Sequence, residues 1–203
     1  MLRSAKNSYA PSGLRKEYMI GKVIHVNDKM QKGYSYVLSA PYGKRGMDKR
    51  MKKALNPNEC LKKGVFSGKY LNDCESEFPK EWFTSSIRKR RPGTQGDPMV
   101  NKYKAASRLS LGEWRKRHWI YGDDVRGWFQ WYCRYYIGRR DLTPVKKNKQ
   151  VLTVDELQIR RYNSFKRHQA QLNKAEVREN RIGDPTFRPI QRQALLQWAW
   201  PQS

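Results

Sequence analysis

One short segment concentrates side chains that could hold nucleic acid. Residues 127–140 read GWFQWYCRYYIGRR, a run of aromatic rings interrupted and followed by arginines. Bases stack on aromatic rings and on guanidinium planes, and arginine binds phosphate. We therefore predict that Arg134, Arg139 and Arg140 hold phosphates at the rim of this segment. Its apolar residues also cover nearly the whole circumference of a helix, which is typical of a buried central helix. Both interpretations stay open because Tyr and Trp can bury a ring and expose a polar tip.

Further basic runs lie outside this segment. One is enclosed by Trp114 and Trp119, and its mixture of rings and cations indicates contact with nucleic acid. Two predicted loops, one of them rich in Pro and Gly, carry Lys and Arg runs that favour phosphate contacts. The alternative for each run is a solvated surface without a ligand. The predicted contact residues of these runs are Arg88, Lys89, Arg90, Arg91, Arg115, Lys116, Arg117, Lys146, Lys147 and Lys149.

A short acidic segment offers a basis for hydrolytic chemistry. Asp73, Glu75 and Glu77 alternate along the chain, and alternate residues of an extended segment point to the same side. Gathered carboxylates can bind Mg²⁺ and activate water, with Asp124 as a further metal ligand or general base. The alternative function is therefore an enzyme acting on nucleic acid, either a nuclease or a base-modifying enzyme. The simpler interpretation is that these carboxylates pair with nearby Lys and Arg, and that Asp123 or Asp124 caps a helix.

The remaining reactive residues match no known catalytic or metal-binding pattern. The three cysteines and three histidines lack the paired spacing of a zinc site. Segment 64–70 contains two glycines and a lysine, but only three residues separate the glycines and Tyr70 replaces the Ser or Thr of a Walker A motif. The sequence also lacks a G-x-S-x-G elbow. We therefore expect a binding protein rather than an enzyme, with no resident metal and no small-molecule cofactor.

A mixed α+β fold, mainly helical, must position these residues. We predict a basic extended arm over residues 1–17 and a small strand-containing part with basic loops over residues 18–100. A Pro/Gly-rich stretch ends this part. A helical core follows over residues 101–203, with the aromatic segment as its central helix.

Capping residues and apolar spacing locate the individual elements. In the first part, β-rich runs on either side of a polar stretch predict two strands, for which a hairpin is the simplest arrangement. The predicted strands cover 18–26 and 33–40, and the predicted helices cover 56–63, 78–83, 110–117, 123–137, 154–179 and 189–200.

The charge of the chain indicates a polyanionic partner. Its 203 residues include 43 Lys and Arg against 18 Asp and Glu, a formal charge of +25 that is spread along the whole chain. Lys and Arg release counterions from the phosphates they contact, so DNA or RNA is the expected partner. Such charge fits a structural component of a large nucleoprotein assembly, a ribosome or a virus particle, with other proteins as neighbours. A scaffold that binds acidic protein surfaces is the remaining alternative.

Composition also bounds the environment of the protein. No run approaches the roughly 20 apolar residues of a membrane span, so no membrane partner is expected. Three cysteines form no disulfide framework and indicate a reducing compartment: the cytoplasm, the nucleus, an organelle, or the interior of a virus particle. Aromatic residues make up 12% of the chain, which favours a folded core over disorder despite the high charge.

Overall fold

The computed structural model describes residues 17–84, 96–107 and 109–201, and these ranges form a mixed α+β fold. The predicted arm before Glu17 and the predicted contact residues Arg88, Lys89, Arg90 and Arg91 lie outside the described residues. Short 3-10 turns connect the main elements. The strands and α-helices are β1 (Val23–Asn27), β2 (Lys32–Val37), α1 (Pro57–Lys62), α2 (Leu111–Lys116), α3 (Trp128–Ile137), β3 (Pro144–Lys147), β4 (Gln150–Thr153), α4 (Val154–Arg178) and α5 (Pro189–Gln197).

The hairpin β1–β2 packs one face against the core. Its antiparallel register pairs Val26 with Tyr34. Because side chains alternate along a strand, Ile24 and Val26 are buried while the residues beside them are exposed. Leu38, just after β2, forms a β-bridge with Arg139, the second residue after α3. The hairpin is thereby attached to the end of α3.

Helix α3 runs through the core, and nine of its ten residues are buried. It begins after Gly127 and ends at Gly138, whose left-handed φ of 116° suits glycine. A Cβ at Gly138 would also lie 2.3 Å from the carbonyl oxygen of Ala40. The prediction that Asp123 or Asp124 caps this helix is wrong, because Gly127 occupies the N-cap and Asp124 turns into the core.

A second hairpin, β3–β4, stands where the sequence predicts a basic loop. Its turn residues Asn148 and Lys149 have φ values of 46° and 62°. Two successive left-handed residues are what a type I′ hairpin turn requires, and asparagine tolerates this conformation well. Helix α4 follows β4 directly, with the Thr153 hydroxyl accepting a hydrogen bond from the N–H of Glu156. The hairpin therefore lies beside the first turns of α4.

Helices α4 and α5 pack together and complete the core. The N–H of Leu55 donates to the carbonyl oxygen of Ala199 at 2.8 Å, which ties the C-terminal end to the segment before α1. Core residues extend from Tyr18 to Ala199, so the parts on both sides of the predicted boundary at residue 100 contribute to one cluster. Within the described residues, no helix combines the length and the apolarity needed to cross a bilayer.

Candidate nucleic-acid interface

Two arginines of the aromatic segment belong to a buried ion cluster, formed by Glu77, Asp124, Arg134 and Arg139. Arg134 donates from Nε to Glu77 Oε1 at 2.6 Å and from Nη1 to Asp124 Oδ1 at 3.2 Å. Arg139 Nη2 donates to the other Asp124 oxygen at 2.5 Å. The Tyr36 hydroxyl also donates to Glu77, at 2.9 Å. Two guanidinium groups and two carboxylates thus neutralise one another inside the core.

This cluster corrects the predicted rim position of Arg134 and Arg139. Because α3 is buried around its circumference, a guanidinium on it is stable only when carboxylates within the core satisfy it. Arg140 is half-buried; its guanidinium lies 3.9 Å from the centre of the Tyr135 ring and donates to the backbone oxygen of Gly46. We therefore assign these three arginines to the fold and leave them out of the candidate interface.

The acidic residues considered for catalysis do not converge on one open site. Glu77 and Asp124 belong to the buried ion cluster, Asp73 accepts from Arg126 Nη2 at 2.8 Å, and Glu75 is exposed. The chain here forms turns instead of an extended segment, so the prediction that Asp73, Glu75 and Glu77 share a face is wrong. Arginine donors occupy the buried carboxylate oxygens that a metal ion or an activated water would use.

A group of potential metal ligands lies next to the buried ion cluster. Asp28, Cys74 and Glu77 each offer one ligand atom, and these atoms lie within 4.8 Å of one another. However, Arg126 Nη2 lies 3.2 Å from Asp28 Oδ1, and Arg134 binds Glu77. Burial raises the pKa of Cys74, whose Sγ donates to Asp28 Oδ2 at 3.3 Å. A protonated thiol and two guanidinium groups oppose a cation, so these residues do not fit a metal site.

Acidic and basic side chains are divided unequally between the core and the surface. All 18 acidic residues lie within the described ranges. Six carboxylates are buried, against three arginines and no lysine among the buried residues that the structure describes. The exposed surface is therefore more basic than the composition alone indicates. The six buried carboxylates are those of Asp28, Glu77, Asp124, Asp141, Asp155 and Glu176.

The lysines of the second hairpin are exposed and lead towards α4. Lys146 and Lys147 lie on β3, and Lys149 lies in the turn. Lys147 Nζ donates to the Tyr121 hydroxyl at 3.3 Å. The guanidinium of Arg161, on α4, lies 5.3 Å from the centre of the same tyrosine ring. The basic hairpin is thus connected through one aromatic ring to Arg161.

The end of α2 brings a second basic group to the same place. Arg115, Lys116 and Arg117 are exposed, and the Arg117 guanidinium lies 5.4 Å from the centre of the Trp119 ring. The carbonyl oxygen of Trp119 accepts a hydrogen bond from Arg161 Nη1 at 3.0 Å. Residues predicted separately, from α2 and from the hairpin, therefore converge at Arg161.

An aromatic cavity of about 220 Å³ lies beside Arg161. Its walls include the side chains of Trp114, Trp119, Trp128 and Trp198. A larger cleft of about 650 Å³ shares Trp114 with the cavity and adds two cations, Lys69 and Arg126. We call these two spaces the aromatic cavity and the outer cleft. Together they place aromatic faces and positive charge side by side.

The turn that ends α2 brings Trp114 and Trp119 to one cavity. The N–H of Trp119 donates to the carbonyl oxygen of Trp114 at 2.9 Å, and that of His118 donates to Arg115 at 3.0 Å. His118 is left-handed, with φ of 52°. These bonds form a Schellman motif, which commonly brings the residue after the left-handed position against the last helical turn. The two tryptophans, five residues apart in the chain, therefore line the same cavity.

Arg161 is a half-buried cation without an acidic partner. Its Nη1 donates to the carbonyl oxygen of Trp119 and to Gln158 Oε1, and its guanidinium lies between the rings of Tyr121 and Trp198. In the described part of the chain no carboxylate pairs with it, and its Nε and Nη2 form no hydrogen bond. Burial lowers the pKa of Arg161 to about 10, because the charge is held there without an anion.

Sequence reasoning missed Arg161 and the contribution of Trp198 to this site. Arg161 lies four residues after Leu157 and four before Phe165, in the apolar stripe of α4. A cation in such a stripe is the signal that could have identified it. Trp198 follows α5, and its ring reaches the cavity by stacking on Phe165 with centres 4.3 Å apart. That position depends on how α4 and α5 pack.

Comparisons with family models, with curated proteins and with solved structures find no match to this chain. The function must therefore be argued from the residues themselves. The relevant geometry is an exposed basic surface on the second hairpin and the end of α2, linked through Tyr121, Trp119 and Arg161 to an aromatic cavity.

Proposed function

We propose that the protein binds nucleic acid, mainly through the phosphate backbone, with the second hairpin and the end of α2 as its contact surface. The observation that supports this is the inward placement of carboxylates, which leaves basic side chains in excess outside. Lys and Arg that replace the counterions of phosphates gain affinity from counterion release. A surface with this charge excess is suited to a polyanion of regular charge spacing.

Individual side chains on this surface are available for phosphate. No carboxylate in the described structure pairs with Lys146, Lys149 or Arg115, and all three are exposed. Lys147 and Arg117 lie against aromatic rings, and Arg117 also lies 3.8 Å from Glu113. A phosphate that approaches the hairpin therefore meets cations without first displacing an acidic partner.

The wider role that we propose is that of a structural component in a large nucleoprotein assembly, with other proteins as further partners. The charge of +25 extends along the chain instead of being confined to one tail. Self-repulsion of such a chain is relieved when a polyanion surrounds it. The basic run Arg88, Lys89, Arg90 and Arg91 stays a predicted contact of this kind.

Salt titration of nucleic-acid binding tests the proposal. The logarithm of the affinity of the full chain for labelled DNA and RNA should fall linearly with the logarithm of the salt concentration. The slope should be about −0.7 to −0.9 for each phosphate contacted. A Lys146→Gln/Lys149→Gln variant should bind more weakly, with a slope reduced by about one for each phosphate-contacting lysine. The matched control is Lys62→Gln/Lys63→Gln, which removes the same number of charges at the end of α1. That helix packs against α3 and the turn Lys80–Phe83 and is not part of the proposed contact surface.

Three results would contradict this proposal. Absence of binding, or an affinity that does not change with salt, would show that the protein makes no phosphate contacts. An equal effect of the two double variants shows that the hairpin is not the contact surface. Binding to an acidic polypeptide as tight as to nucleic acid at the same salt favours a scaffold for acidic protein surfaces instead.

A further inference from the structure

We infer that the aromatic cavity accepts one unpaired base of a nucleic-acid strand, so that the protein prefers single-stranded to duplex nucleic acid. This inference rests on the proposed function and names the form of nucleic acid that the site selects. It adds base contacts inside the cavity to the phosphate contacts outside it. Three features support it: the size and walls of the cavity, the Arg161 donors that bond to no described residue, and the cations near the cavity.

The cavity has the size and lining of a site for one flat ring system. Its volume of about 220 Å³ is smaller than the ~300–1,000 Å³ of pockets that enclose drug-sized ligands. Trp114, Trp119, Trp128 and Trp198 line it, together with the phenylalanines Phe66 and Phe129. Every nucleobase has a π face that stacks on such rings, so stacking does not depend on the sequence of the strand. An inserted base would therefore replace solvent against aromatic surface.

Arg161 restricts the chemistry of the occupant. Its Nε and Nη2 form no hydrogen bond to the described residues, although the guanidinium is half-buried at the cavity wall. A purely apolar occupant would desolvate this charge further and offer it no acceptor, which is unfavourable. A nucleobase carries ring nitrogens and carbonyl oxygens at its edge, and its phosphate carries anionic oxygens. The occupant that satisfies both the rings and the guanidinium is therefore aromatic and rich in acceptors.

Positive charge lies near the cavity in two places, the outer cleft and the surroundings of Tyr121, and would hold the strand that carries an inserted base. The outer cleft contributes Lys69 and also Arg126, although Arg126 is already ion-paired with Asp28 and Asp73. Near Arg161, Lys147 donates to the hydroxyl of Tyr121, whose ring lies against the Arg161 guanidinium. A base within a duplex must first be unpaired and unstacked before it can enter, whereas a single strand offers its bases freely. This difference produces the expected preference.

Binding of three labelled ligands tests the inference directly. They are a single strand, its duplex, and the same single strand with the bases removed from its central positions, each prepared as DNA and as RNA. The wild-type protein should bind the intact single strand about tenfold more tightly than either of the other two, since stacking of one base supplies about that factor. Whether the DNA or the RNA strand shows this pattern identifies which nucleic acid supplies the base.

Variants of the cavity provide the second arm. Arg161→Gln removes the free donors, Trp119→Ala removes a wall that is 40% exposed, and Ala194→Leu fills space without changing charge. Each should weaken binding of the single strand about tenfold and weaken duplex binding much less. Arg167→Gln is the matched control, because it removes one exposed charge from the same helix. It should weaken single-strand and duplex binding equally and slightly.

The two proposals fail in different ways. The base site is overturned if the base-free strand binds as tightly as the intact one and if all cavity variants behave like Arg167→Gln. If binding still depends on salt in that case, the proposed backbone contacts are unaffected. Absence of binding to all three ligands removes the proposed function and the base site together. Thermal unfolding of each variant checks that it is folded. If Ala194→Leu does not fold, Trp119→Ala tests the base site in its place, because a partly exposed side chain is more easily replaced.

Discussion

Arg134 in the buried ion cluster and Arg161 beside the aromatic cavity have similar aromatic surroundings and different ionic ones. The Arg134 guanidinium lies 5.3 and 5.4 Å from the centres of two tyrosine rings, and that of Arg161 lies 5.3 and 5.2 Å from a tyrosine and a tryptophan ring. Glu77 and Asp124 neutralise Arg134, whereas Arg161 donates only to neutral oxygens.

The difference separates an arginine that holds the fold from one that can receive a ligand. A buried ion pair with all its donors satisfied has little left to offer a partner, and breaking it exposes an uncompensated charge. A half-buried guanidinium with free donors is costly to keep, and perturbed groups of this kind concentrate at functional sites. The number of aromatic contacts does not distinguish the two arginines; the counter-ions do.

The largest effect is expected from breaking the buried ion cluster. Arg134→Gln leaves the carboxylates of Glu77 and Asp124 in the core with one guanidinium fewer, so the free energy of unfolding should fall by about 3–5 kcal/mol. Urea denaturation measures this loss. Arg50→Gln is the exposed counterpart, since Arg50 lies 2.6 Å from Glu156 at the surface, and it should cost less than about 1 kcal/mol. Equal losses for the two variants would refute the distinction.

Asp155 carries the next largest effect, because it is a buried carboxylate without an ion-pair partner among the described residues. Its carboxylate accepts from Trp131 Nε1 at 2.8 Å, and burial raises its pKa to about 6. The folded state therefore binds more protons than the unfolded state between about pH 4 and 6, and this group's stabilising contribution is lost as pH rises through that range. Relative to Asp155→Asn, the wild type should lose up to about 3 kcal/mol between about pH 4 and 7.

Urea denaturation of both proteins over this pH range checks the prediction for Asp155, and parallel pH profiles would contradict it. Glu156 is a neighbouring control with the opposite sign. Hydrogen bonds from Arg50 lower its pKa to about 2, so its contribution is present at neutral pH and is lost as pH falls towards that value. Glu156→Gln should therefore remove stability at neutral pH and change nothing at the acid end.

The smallest effect on stability is expected at Arg161, which makes it the sharpest test of the comparison. Arg161→Gln loses two cation–π contacts, worth about 0.5–1 kcal/mol each, but it also removes an unpaired charge from a poorly solvated position. The free energy of unfolding should change by less than about 1 kcal/mol, as measured by urea denaturation. A loss comparable to that of Arg134→Gln would show that Arg161 belongs to the fold.

Local signals in the sequence predicted much of the helical framework. Asn56 and Glu59 form a capping box at the start of α1, and Thr153 caps α4 within one residue of the predicted start. Pro189 begins α5 as expected. Such caps depend on hydrogen bonds between residues two or three positions apart, so they can be recognised without knowledge of the fold.

The candidate site could be predicted only in part. Of the residues singled out from composition and spacing, Trp114 and Trp119 line the cavity. The cations of α2 and the lysines of the second hairpin stay predicted contacts. Arg134 and Arg139 were assigned to the wrong environment, because Glu77 lies 57 residues before Arg134 in the chain. Arg161 was not identified, since its exposure and its missing counter-ion depend on the packing of α4 against its neighbours.

By itself, the sequence determined the excess of positive charge, the aromatic content that allows so charged a chain to form a core, and most of the helix starts. These follow from composition and from interactions between near neighbours. Only the tertiary structure decided which arginines are neutralised inside and which one borders an aromatic cavity. The reason is that a charge is compensated by whatever packing brings within hydrogen-bond distance, and residues far apart in the chain supply those partners.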